Sequence, residues 1–169
     1  MLIGHNKYMN PKTPIVYFAC AIRGNRVVHT LLQEMVSHIK SKGIAVLSEH
    51  VVDEDARGAF AKAIGKKDAD ITPIDIERQD IAWLNQATHV IADISGASTG
   101  VGREVEYART KGDLGQVSAQ VLCLYHSDHA DSATSMITGM THDRYPNVTI
   151  SSYTDIKEAV NHIDSFLHS

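Results

Sequence analysis

At 169 residues, 43% apolar and 21% charged, the chain has the size and balance of one globular domain with a substantial core, and global disorder is excluded. A net charge of −4 without a long basic run argues against a nucleic-acid polymer, whose phosphates want a basic face, and leaves a single small nucleotide open as a partner. Cys20 and Cys123 both lie in apolar runs and no CxxC occurs, so a disulfide framework is not expected and a reducing cytoplasm is. The N-terminus, "MLIGHNKYMNPKTP", has no signal-peptide core, and no stretch approaches the ~18 apolar residues of a membrane span.

Residues 1–13 read as a loose tail, and 14–169 as a single domain. "PIVYFACAI" (14–22) is a continuous apolar run, as in a strand buried on both faces. "RGN" breaks it, after which Val27, Val28, Leu31, Leu32, Met35, Val36 and Ile39 recur at helical spacing until Gly43. "IAVLS" (44–48) is a second strand. Residues 49–72 are charged and Ala/Gly-rich, with one short helix expected near 56–64; a connection of this length is usually functional or disordered. Pro73 suits the first turn of a helix running to Gln86. A third strand over 88–94 is followed by a small-residue loop, a helix from Val101 to Lys111, a fourth strand over 119–126, an ambiguous segment over 131–140, a fifth strand over 148–150 and a last amphipathic helix from Tyr153 to Leu167. Apolar strands alternating with helices predict a parallel sheet covered on both faces, in the flavodoxin-like order 2-1-3-4-5. Ligands of such sheets bind beyond the carboxyl ends of the strands, which here are the loops 20–25, 94–102 and 126–135.

The loop "SGASTGVG" (95–102) enters a helix, where free N–H groups and the helix dipole favour an anion. It is not a P-loop, and a plain turn capped by Ser98 or Thr99 is the commoner explanation of such a loop taken alone. Glu104, in the first turn, is either a dipole partner or a carboxylate aimed at the cleft, as a nucleophile beside a phosphorylated sugar requires. Asp80 shares a helical stripe with Ile76, Trp83 and Ala87, and an aspartate there is either a boundary residue reaching solvent or a functional acid. Tyr17 is core packing or part of the same edge, and Arg23 a surface residue or a phosphate ligand. The ten histidines form no spacing that fixes a metal, and Trp83 reads as core.

Taken in order, "YFACAIRGNR", "VLSEHV", "IERQDIAWLNQATHVIADIS", "ASTGVGRE" and "SMITG" resemble the 2′-deoxynucleoside 5′-phosphate N-hydrolases of the nucleoside 2-deoxyribosyltransferase superfamily, over about residues 15–167. The resemblance implies hydrolysis of the N-glycosidic bond of a deoxynucleoside monophosphate to a free base and 2-deoxyribose 5-phosphate. It implies Glu104 as nucleophile, Asp80 as second catalytic carboxylate and Tyr17 as the tyrosine orienting the nucleophile. It also implies a sugar-phosphate pocket lined by Ile22, Arg23, Gly24, Ser98, Gly100 and Gly102, and a homodimer in which Thr134 or Ser135, next to Met136, reaches the partner's site. No metal or organic cofactor is called for. Sugar transfer to a second base, and nucleotide binding without catalysis, are the alternatives. The chain departs from the family pattern at Cys20-Ala21, where Gly-Ser is usual, at Arg103, where Tyr is usual, and at Thr134, where Ser is usual.

Overall fold

A computed structural model describes residues 13–22 and 28–168. Five strands, β1 (Ile15–Ala19), β2 (Ala45–Val46), β3 (His89–Asp93), β4 (Gln120–His126) and β5 (Val148–Tyr153), form one sheet in the order β2-β1-β3-β4-β5, with every pairing parallel. This is the flavodoxin-like order expected from the sequence. Among the described residues six α-helices flank it: α1 (His29–Ser41), α2 (Ala56–Ala63), α3 (Pro73–Gln86), α4 (Thr99–Thr110), α5 (Ser135–Thr138) and α6 (Ile156–Leu167).

The period-two geometry of the strands splits their apolar side chains between two layers. Val16, Phe18, Ile91, Leu122 and Leu124 pack under α1 and α6, through Leu32, Met35 and Ile39 on the one and Ala159, Ile163 and Phe166 on the other. Tyr17, Ala19, Val90, Ala92, Val121 and Cys123 face the opposite way, toward Leu84 of α3 and Val101, Val105 and Ala108 of α4. Tyr17 and Glu104 therefore belong to one layer because odd-numbered β1 positions face α4.

Local chemistry sets the element ends. Gly43 stops α1 by taking a positive φ of 74°, a region that costs other residues a Cβ clash. The expected second strand is cut from five residues to two by Ser48. Its Oγ accepts from Phe18 N–H at 2.8 Å and donates to Phe18 O at 2.7 Å, replacing the ladder with a side chain. Pro73 opens α3, and Thr72 and Asp75 form a reciprocal capping box. α4 starts at Thr99, two residues earlier than its apolar period suggests, because Ser98 caps it by accepting from Val101 N–H at 3.3 Å. β5 continues to Tyr153 through polar residues that the apolar run "VTI" did not reveal, and Asp155 caps α6. The segment 127–140 resolves into a 3-10 stretch (Ser127–Ser132) and the single turn α5. The tail assigned to 1–13 lies outside the described residues except for Thr13.

Candidate active site

A cavity of about 970 Å³ opens beside the carboxyl ends of β1 and β3, between α3, α4 and the segment 49–72. Three elements far apart in the chain supply its polar wall: Tyr17 from β1, Asp80 and Glu77 from α3, and Arg103 and Glu104 from α4 with its N-cap Ser98. Tyr17 Oη donates to Glu104 Oε1 at 2.7 Å across 87 residues of sequence. Arg103 donates to Glu77 at 2.6 Å and bridges the two helices at the rim.

The electrostatics separate the roles available to these groups. Burial raises the Asp80 carboxyl from 3.8 to about 7, and the nearby charge of Glu104 pushes the same way, while the Tyr17 hydroxyl and Arg103 pull it down. Burial also raises Glu104, against the hydrogen bond from Tyr17 and the Arg103 charge. Tyr17 itself is driven far above its ordinary value by burial and by the two carboxylates, so it remains a neutral donor at any working pH. Near neutrality the site thus holds one carboxyl poised to exchange a proton beside a second that already has a hydrogen-bond donor.

The base of α4 points into the same space. Thr99 and Gly100 line the cavity, and first-turn N–H groups of an α-helix have no intrahelical acceptor. Capping and anion binding are compatible at Ser98: its oxygen accepts from Val101 N–H, and its hydroxyl hydrogen is still available to a ligand. Gly102 sits one turn inward and does not line the cavity. Ile22 lines it and is 43% exposed, whereas Arg23 and Gly24 lie outside the described residues. Thr134, Ser135 and Met136 are exposed around the start of α5 and are not part of this cavity wall.

The sequence reading missed the opposite wall. His50, Arg57, Phe60, Ile71 and Ile76 all face the cavity, four of them from the segment whose pattern was uninformative. The His50 ring packs at a tilt against Phe60 and Trp83, with centroids 5.2 and 5.4 Å away, and burial lowers its imidazole to about 4, so it is neutral. Trp83 packs edge-on to Phe60 beneath this wall, in keeping with its reading as core. Arg57 donates to the carbonyls of Asp68 and Ile71 at 3.0 Å and pairs with the Asp68 carboxylate, which ties the wall's two ends together. The one advance signal was compositional: Phe60 and Ile71 are large apolar residues inside a charged, Ala/Gly-rich connection. Among the described residues no group of three or more His, Cys, Asp or Glu side chains could hold a metal, and no helix is long and apolar enough to cross a membrane.

No family model matches the chain. A protein of Thermofilum pendens named "Putative 2′-deoxynucleoside 5′-phosphate N-hydrolase 1" is 28% identical over 152 residues, covering 90% of this chain and 94% of that one. The 5-hydroxymethyl-dUMP N-hydrolase of Homo sapiens is 32% identical over 129 residues, covering 76% of this chain and 67% of that one. The chain belongs to the 2′-deoxynucleoside 5′-phosphate N-hydrolase family. A solved structure of the Clostridium botulinum CMP N-glycosidase BcmB superposes with a TM-score of 0.58 over 89% of this chain and 98% of that one, at 17% identity, so the fold is shared. Membership in this family gives an N-glycosidase, and it gives the cavity's paired carboxylates a chemistry to be tested against.

Proposed function

We propose that this chain hydrolyses the N-glycosidic bond of 2′-deoxynucleoside 5′-monophosphates, releasing the free base and 2-deoxyribose 5-phosphate, and that one domain over residues 14–169 carries the reaction. The observation that carries the reading is the Tyr17–Glu104 hydrogen bond of 2.7 Å in a cavity shared with Asp80, whose carboxyl is raised to about 7.

Glu104 attacks the anomeric carbon of the sugar. The new C–O bond forms as the C–N bond breaks, and the electron pair leaves with the base. Asp80, partly protonated at neutral pH, gives its proton to the departing base nitrogen. Water then attacks the anomeric carbon, its proton passes to the Asp80 carboxylate, and Glu104 leaves as a free carboxylate. Tyr17 holds the attacking oxygen in place through both steps and cannot compete as an acid, since its phenol is held neutral. The transition state has oxocarbenium character, which nearby carboxylates stabilise and an electron-withdrawing 2′-hydroxyl would oppose. Deoxyribonucleotides are therefore preferred over ribonucleotides.

The 5′-phosphate is assigned to Ser98, Gly100 and the first α4 amides, and to Arg23 and Gly24, which follow β1 in the sequence and carry over from the family pattern. The base is assigned to the wall of His50, Phe60 and Ile71. The working unit is a cytoplasmic homodimer in which the partner subunit's Thr134 or Ser135 supplies a further hydroxyl to the phosphate. Exposure of Thr134 and Ser135 outside their own cavity is compatible with that arrangement.

Incubating the protein with each deoxynucleoside monophosphate, with and without a second free base, tests the proposal. Base release in water alone is the expected result. Product that forms only when an acceptor base is present would make the enzyme a transferase, and binding without turnover would make it a sensor.

A further inference from the structure

We propose that Asp93 is a positioning residue for the phosphate end of the site: with Ser95 and Tyr153 it fixes the chain between β3 and α4, and so fixes Ser98 and the first α4 amides. The inference rests on the reading of that end as the phosphate subsite.

Asp93 is the last residue of β3 and is 5% exposed. Its neighbours Ala92 and Ile94 are apolar and buried, and an apolar residue at 93 would satisfy the core alone. A carboxylate there is tolerated because each oxygen is used. Oδ1 accepts from the backbone N–H of Ser95 at 3.2 Å, closing a turn of two residues. Oδ2 accepts from Ser95 Oγ at 2.8 Å and from Tyr153 Oη, at the end of β5, at 3.1 Å. Ser95 Oγ in turn accepts from the backbone N–H of His126, at the end of β4, at 2.9 Å. The ends of three adjacent strands are thereby joined through Asp93 and Ser95, β5 at the carboxylate and β4 at the hydroxyl. Ile94 N–H still donates to Leu124 O at 2.8 Å, so the chain leaves the sheet at Ser95, and only Gly96 and Ala97 separate that anchored residue from Ser98.

The same knot holds the other side of the sheet edge. The His126 ring stands edge-on to Tyr153 at 5.3 Å and its Nε2 meets Thr154 O at 3.1 Å. Residue 126 opens the stretch that runs through Ser127–Ser132 to Thr134. One buried carboxylate therefore sets two segments that bear phosphate-directed hydroxyls.

Three variants test this: Asp93→Asn, Ser95→Ala and Tyr153→Phe. In the full-length enzyme, Asp93→Asn is expected to raise KM for the deoxynucleoside monophosphate about tenfold, as loss of a hydrogen bond to a charged group does, while kcat changes far less. Calorimetry with 2-deoxyribose 5-phosphate is expected to weaken in parallel, and binding of the free base to stay as in the parent. If Asp93→Asn does not fold, Tyr153→Phe, which deletes one oxygen, gives the same pattern with a smaller shift. A lower melting temperature with an unchanged affinity for 2-deoxyribose 5-phosphate would overturn the proposal and leave Asp93 as a stability residue. If the parent protein neither binds this sugar phosphate nor turns over nucleotide, the phosphate reading fails. Amide hydrogen exchange over residues 95–100 then decides the positioning claim, with faster exchange in the variants supporting it and unchanged exchange refuting it.

Discussion

Replacing Asp80 by Asn removes a charge from a place that disfavours it while keeping the side chain's shape, and it should make the protein more stable and less active. Folding carries the Asp80 carboxyl from 3.8 to about 7. At ~1.36 kcal/mol per decade, that displacement corresponds to about 4 kcal/mol of destabilisation once the group is fully ionised. Coupling to Glu104 and partial solvent access reduce the part recoverable by one substitution to about 2 kcal/mol, or roughly 4–8 °C in Tm for a chain of this length. The direction with pH follows from proton counting. Between about 4 and 7 the native state binds the extra proton, so wild-type stability declines as pH rises through this window and the loss is complete above it. The advantage of Asp80→Asn should therefore be absent below pH ~4 and fully present at pH ~8. Thermal unfolding of both proteins from acid to mild alkali measures it. A gain that is the same at both ends of the range, or no gain at pH ~8, would refute the account of Asp80 as a carboxyl raised by burial and by Glu104.

Further outcomes follow from the same geometry. In wild type, kcat should fall with rising pH above about 7 as Asp80 loses its proton, and Asp80→Asn should lose roughly 10²–10⁴ in rate together with this alkaline limb. Tyr17→Phe removes the donor to Glu104 and should cost roughly 10–100-fold in kcat with an intact fold, read by steady-state kinetics and circular dichroism. Lys111 is fully buried, and its Nζ donates to Leu84 O and Ala87 O at 2.6 Å each, joining the end of α4 to the end of α3. Lys111→Met should destabilise by about 3 kcal/mol in denaturant titration, because carbonyls at the α3 terminus lose their partner.

The layers of the fold were readable because they follow from periodicity. The runs at 14–22 and 119–126 are apolar without alternation, and α3 carries a proline and a capping box at its start. Departures occur where a side chain takes over a backbone task, as Ser48 does beside Phe18 and Ser98 does at α4. Tyr17, Asp80 and Glu104 could be named from the family pattern, and neither spacing nor composition would have brought them together, since they lie on β1, α3 and α4. The wall of His50, Phe60 and Ile71 is assembled from a 3-10 turn, the eight-residue helix α2 and the residue after a second 3-10 turn, elements too short for periodicity to show which of their side chains share a face. Asp93 stood in plain view beside the small-residue loop, but its partners Tyr153 and His126 belong to strands that only the sheet order brings alongside.

The central claim is that Glu104 forms the bond to the sugar. Mass spectrometry of peptides from enzyme mixed with a deoxynucleoside monophosphate and quenched in acid during turnover tests it most directly. A 2-deoxyribose 5-phosphate ester on the peptide containing Glu104, absent from the same peptide of Glu104→Gln, is the expected result. An adduct on a different side chain, or base release at the wild-type rate by Glu104→Gln, would contradict it.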